Sequence, residues 1–251
     1  MSSAEKITVV ETAPLKSEKP IILVGLPDVG LVGIISVMHL INTLEMQEVG
    51  YIESDLMPPI IIVHDNKIFE PIRIYAKDDL LLLTSEIPIP TALVKPLTRS
   101  IIDWAKEKKP KLIMTLGGIP TPNRDDIEKP ECYSLETDDE AKKYVENLKV
   151  EKLTEGIMVG PYPVILREAQ KKGIPAVALL AQAFDKYPDP GAAASIIEVL
   201  GKLLKINVNV DELLKSAEEI RVRTRDLMRR TDMTMQQMGK TQELEVPAMY
   251  T

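Results

Sequence analysis

The chain has 251 residues, 45% of them hydrophobic and 27% charged, with 31 basic against 38 acidic residues for a net charge of −7. That is apolar mass for one large domain or two small ones, and the acidic balance argues against a general nucleic-acid binder, which needs a basic surface to displace counterions. One cysteine, Cys132, and two histidines, His39 and His64, exclude a disulfide framework and a cysteine-based zinc finger and leave little for a transition-metal site.

Residues 1–19 carry Glu5, Lys6, Glu11, Lys16, Glu18 and Lys19 and no apolar targeting segment, so they read as an N-terminal extension of a cytoplasmic protein. The apolar run 21–41 is interrupted by Gly25, Pro27, Asp28 and Gly30. It therefore reads as a buried strand, a tight loop and a helix rather than a membrane span. Strands are predicted at 48–53, 59–64, 71–77 and 80–85, and the turn Asp65-Asn66-Lys67 pairs 60–63 with 68–74 as a hairpin. A helix over 91–108 places Leu93, Leu97, Ile101 and Trp104 on one face. A buried strand follows at 111–117. Residues 118–140, rich in Pro, Asp and Glu, read as a surface excursion with a short strand near 132–135. Helices at 141–148, 162–172 and 191–205 and a strand at 176–182 complete a core domain, 20–208. The expectation is an α/β fold of three layers, a mixed, mostly parallel sheet flanked by helices.

A long C-terminal helix is predicted over 209–239, with Asn209 and Glu212 in a capping-box pattern. Leu213, Ala217, Ile220, Thr224, Leu227, Thr231, Thr234 and Met238 recur at spacings of four and three, a seam that grows polar toward its end. It suits either a core-facing helix or one that packs on another subunit. Residues 240–251 contain Pro247 and no periodicity and are expected to form a mobile tail.

Most tests for chemistry fail. The stretch Gly25-Leu26-Pro27-Asp28-Val29-Gly30-Leu31-Val32-Gly33 follows a strand and opens a helix, but Leu31 and Val32 stand where a phosphate loop needs lysine and a hydroxyl. Asp28 places a carboxylate where a pyrophosphate would lie, so the glycines read as devices for a tight turn and close packing. Glu86 and Gly117-Gly118 each follow a buried strand, where an α/β sheet forms its crevice, and Glu86 could act as a base, cap a helix or pair with a cation. His39 reads as a satisfied core or edge histidine, His64 as exposed, and Cys132 as no nucleophile. The arginines between 221 and 230 read as a salt-bridged helix face, with Glu219–Arg223 and Glu218–Arg221 pairs. No catalytic residue, cofactor or metal is assigned. Five of eleven methionines fall late: Met228, Met233, Met235, Met238 and Met249. Their flexible side chains suit an adaptable partner or subunit contact as well as a loose core, and their concentration favours the contact.

The chain ends Met249-Tyr250-Thr251, a hydrophobic residue, a tyrosine and a final residue, the pattern of a recognition signal in proteasome activators. Together with the 25–33 stretch, Gly117-Gly118-Ile119-Pro120-Thr121 and Asp189-Pro190-Gly191-Ala192-Ala193-Ala194, the chain resembles archaeal members of the proteasome-assembly-chaperone family over about residues 20–220. The resemblance implies a nucleoside-phosphorylase-like α/β fold, a homo-oligomer (four copies as the working number), and ATP-independent assistance in assembling the 20S core particle. It maps Met249, Tyr250 and Thr251 onto contacts with proteasome α-subunits, and it implies neither a membrane nor a nucleic-acid partner. The alternative is a small-molecule, nucleoside-type enzyme with a crevice site near Glu86 and Gly117.

Overall fold

The computed structural model describes residues 7–238. In chain order its elements are β1 (Ile7–Glu11), β2 (Ile21–Gly25), α1 (Val32–Thr43), β3 (Gln47–Ser54), β4 (Ile62–His64), β5 (Lys67–Phe69), β6 (Ile72–Lys77), β7 (Leu80–Ser85), α2 (Thr91–Glu107), β8 (Leu112–Pro120), β9 (Cys132–Glu136), α3 (Asp139–Val145), β10 (Glu151–Lys152), α4 (Pro161–Lys171), β11 (Ala176–Ala183), α5 (Pro190–Leu204), α6 (Asp211–Lys215) and α7 (Ala217–Gln237).

Nine strands form one sheet in the order β1-β3-β6-β7-β2-β8-β11-β9-β10. Its centre, β7-β2-β8-β11, is parallel. The β1-β3-β6-β7 side is antiparallel, as is the β11-β9 pairing. The mixed sheet is as the sequence implies, with the parallel character concentrated in the middle. Central strands are apolar on both faces because both faces are covered. Along β2, Leu23 enters one core while Ile22 and Val24 enter the other. Along β8, Met114 and Leu116 face the first core and Ile113 the second. Helices α1 and α5 pack together over one face, and α2 and α4 over the other, completing three layers.

Three local outcomes differ from the sequence reading. Part of the 1–19 extension, Ile7–Glu11, is an edge strand on β3, held also by Trp104 Nε1 donating to Glu11 Oε1 at 2.7 Å. The hairpin forms at the expected turn, where Asp65 and Asn66 both have positive φ (48° and 59°), as two-residue hairpin turns require. It ends at Phe69, however, and makes a separate two-stranded sheet, while β6 joins the main one. The helix over 209–239 is two helices, α6 and α7, parted at Ser216. Asn209 Oδ1 accepts from the Asp211 amide at 2.8 Å, a turn that precedes α6.

The quoted motifs meet at the carboxyl ends of the central strands. α1 approaches β8 so closely that a Cβ on Gly33 would overlap the Leu116 carbonyl oxygen and lie 2.7 Å from the Tyr162 hydroxyl. Gly30, at φ 60°, turns the chain beside Ala183 and Asp189, and the Asp189 amide donates to its carbonyl at 2.8 Å. Asp189 is 1% exposed. Its carboxylate caps α5 through the Ala192 amide at 2.9 Å and accepts two bonds from Arg124, at 2.8 and 3.1 Å. Arg124, from the expected surface excursion, is thus buried, and it stacks 5.0 Å from the Phe184 ring. Asp189→Ala leaves a buried guanidinium without its carboxylate and uncaps α5, so the unfolding free energy should fall by about 3–5 kcal/mol. Chemical denaturation measures this; a loss below about 1 kcal/mol would show that the pair does not hold the strand ends together.

Candidate functional site

The carboxyl ends of β7, β2, β8 and β11 carry the loops where an open α/β sheet takes its ligands. The Tyr162 ring, 1% exposed, is set beneath them. Its hydroxyl accepts from the Leu26 amide at 2.9 Å and donates to the Leu26 carbonyl at 3.0 Å. Burial, and then the negative Asp28 nearby, push the Tyr162 phenol well above its ordinary range, so it stays a neutral clamp on the loop after β2.

Helix α7 lies across this end of the sheet. Thr231, Met235 and Met238 face Pro27, Asp28, Pro88 and Gly160 across a gap of about 10 Å³, room for one water at most. Met228 and Met235, one heptad apart, are buried within the chain itself, as is Thr231; Met233 is half exposed and Met238 partly covered. The expected pairs form along α7, Arg221–Glu218 at 3.7 Å and Arg223–Glu219, together with Arg229–Asp226 at 3.5 Å.

Glu86 and Gly117 do not share a cavity. Glu86 accepts from Arg73 and pairs with His64 Nε2 at 2.7 Å, and Arg73 also reaches Glu48 at 3.4 Å. This network ties the β4–β5 hairpin to the sheet. Glu86 lines an apolar groove of about 440 Å³ formed with Ile34, Met38, His39, Leu213 and Leu227. Gly117 lies against Tyr162 instead, and its neighbour Gly118 lines a different cavity. His39 is satisfied by the Asn209 carbonyl at 2.9 Å. Among the described residues no cluster of three or more His, Cys, Asp or Glu is placed to hold a metal, and no helix is long and apolar enough to cross a membrane.

The sequence reading passed over one surface. Ile61, Val63 and Ile68 are 57%, 60% and 70% exposed on and beside the hairpin, and Val63 and Ile68 are cross-strand partners. Contiguous apolar exposure of this kind marks an interaction surface. The β-branched run itself is visible in the sequence, but not that no helix among the described residues covers its outer face. Met249, Tyr250 and Thr251 lie outside the described residues.

The PAC2 family model matches residues 22–228, and the chain belongs to that family. It is 31% identical over 220 residues to an uncharacterized protein of Methanocaldococcus jannaschii, covering 87% of this chain and 89% of that one. Its fold is similar to the crystal structure of Pyrococcus furiosus PbaA, described as an archaeal homolog of proteasome-assembly chaperone. That match has a TM-score of 0.84 and 30% identity and covers 91% of this chain and 99% of PbaA. Pyrococcus furiosus PbaB, described as an archaeal proteasome activator, shares the fold at a TM-score of 0.74 and 22% identity, over 88% of this chain and 98% of PbaB.

Burial, and then the nearby Glu198 charge, push the Cys132 thiol up to about 12. Native protein should resist iodoacetamide at pH 8 and become alkylated on unfolding. An unfolded thiol ionises near ~8.5, so between roughly pH 9 and 12 the unfolded state binds fewer protons and stability falls as pH rises. Cys132→Ala should remove that part of the slope; equal slopes, or rapid native labelling, would contradict the burial.

Proposed function

We propose that this protein is an assembly chaperone for the 20S proteasome. It works as a homo-oligomer without nucleotide, and it binds α-subunits through Met249-Tyr250-Thr251 at the end of each copy. The observation that carries this reading is the 30% identity to PbaA across 91% of the chain. Tyr250 supplies contact area with a polar tip, and the terminal carboxylate of Thr251 supplies a charge for a lysine. Several weak tails on one oligomer bind tightly through effective concentration. We take the half-exposed Met233, with Met238 at the end of α7, as an adaptable contact with a partner. Met228 and Met235 are buried in the chain's own core and reach a partner only where α7 lifts from it.

Native-gel titration of core particles with the full chain and with a version ending at Ala248 tests the tail. Truncation should weaken binding at least tenfold, with ATP making no difference; equal binding by both versions would reject the tail mechanism.

Self-association of the copies fits the exposed hairpin stripe. Val63→Asp with Ile68→Lys should lower the mass seen by light scattering while leaving the circular dichroism unchanged. An unchanged mass would remove the hairpin from the interface.

A further inference from the structure

The β9–β10 edge of the sheet is not filled as its centre is. A cleft of about 550 Å³ opens there between α5 and the segments that lead into β9 and β10. That size lies within the ~300–1,000 Å³ of small-molecule sites. One stripe of α5 faces it: Ser195, Glu198, Val199 and Lys202 recur at the spacing of a single helix face. Cys132, Leu148 and Val150 add apolar surface, and all three belong to the core under α5 or pack against it.

The charges around the cleft are sorted by face. Glu198 is committed to Lys129 at 2.6 Å. Lys149 and Lys202 are exposed, and neither has an ion-pair or hydrogen-bond partner among the described residues. Burial and then Glu198 raise the Cys132 thiol, while Lys129 and Lys202 act against them, so both ammoniums stand near the buried sulfur. Two further acids border the cleft but turn from it. Glu131 Oε2 accepts from the Tyr133 hydroxyl at 3.0 Å, and Glu151 stands in register with Tyr133 across the β9–β10 pair. Tyr133 follows Cys132 along β9 and therefore points to the other face of the sheet. On the Cys132 face the cleft thus keeps an uncommitted cation above an apolar floor. Its other uncommitted polar group is Ser195, 6% exposed, whose hydroxyl has no partner among the described residues. A nearly buried hydroxyl without a partner marks a place where an occupant can supply one. Ser195 and Lys202 are seven residues apart on one helix, about 10 Å along its axis.

We propose that this cleft binds a small organic acid about 10 Å long, matched to that spacing. Its carboxylate meets Lys202, its hydrocarbon body lies along Val199, Cys132 and Val150, and a hydroxyl at its far end bonds Ser195. The proposal does not depend on proteasome binding.

Calorimetric titration of the full chain with para-hydroxyphenylpropionate, phenylpropionate and tyramine at one ionic strength tests it without any substitution. The hydroxylated acid should saturate at millimolar or lower concentration. Phenylpropionate, which lacks the hydroxyl, should bind about threefold or more weakly, and tyramine, with an ammonium in place of the carboxylate, at least about tenfold more weakly. Lys202→Glu, at an exposed position, should weaken the hydroxylated acid about tenfold. Ser195→Ala should erase the preference between the two acids. Both variants are compared at unchanged far-ultraviolet circular dichroism. No saturation by about 10 mM acid, tyramine binding as tightly as the acid, unchanged affinity in folded Lys202→Glu, or an unchanged preference in folded Ser195→Ala would overturn the proposal. Where a variant fails to fold, the comparison of the three probes on the unsubstituted chain decides alone.

Discussion

The approach of α1 to the sheet is the constraint on which the rest depends. With no side chain at Gly33, the helix lies against the Leu116 carbonyl and the Tyr162 hydroxyl, at a separation that a single methyl group would forbid. That proximity fixes the loop after β2, which Tyr162 clamps through both polar groups of Leu26. It also places the Gly30 carbonyl where the Asp189 amide can reach it. Asp189 then sets the start of α5 and holds Arg124, joining segments 65 residues apart in sequence.

This packing decides what the strand ends can do. In many open α/β sheets they hold substrate. Here the β2 and β7 side is bedded with prolines and buried apolar atoms and covered by Met235 and Thr231 of α7. Glu86, which the sequence leaves open as a base, a helix cap or the partner of a cation, pairs with Arg73 and His64 and secures a hairpin. Glu86 and Gly117 serve architecture here, and the described residues present outward an apolar hairpin and a helix laced with ion pairs.

The sequence made the central strands legible because they are buried on both faces, and continuous apolar runs such as 21–25 and 80–85 have few other solutions. The motif glycines were legible as packing devices because the residues beside them rule out phosphate chemistry. Other features depend on tertiary facts. The seam through Leu213, Ala217 and Ile220 keeps its spacing across Ser216, so periodicity could not show that α6 and α7 are separate. The late methionines mark an apolar stripe, but a stripe does not say which molecule covers it; for Met228 and Met235 the chain's own core does so. The role of Gly117 turns on Tyr162, far along the chain, and the ion pair of Arg124 turns on Asp189. The edge strand Ile7–Glu11 has a β-branched run, yet it pairs on one side only and carries the weaker signal of a half-covered element.

The proposed function is one of binding, in which the fold carries the C-terminal triplet to its contact. The most direct measurement replaces Tyr250 with a photo-crosslinking phenylalanine analogue and irradiates the protein with proteasome core particles. The account predicts crosslinks from position 250 to α-subunits, in equal yield with and without ATP. Crosslinks confined to other copies of the same chain, or none at all while the particles remain bound, would contradict it.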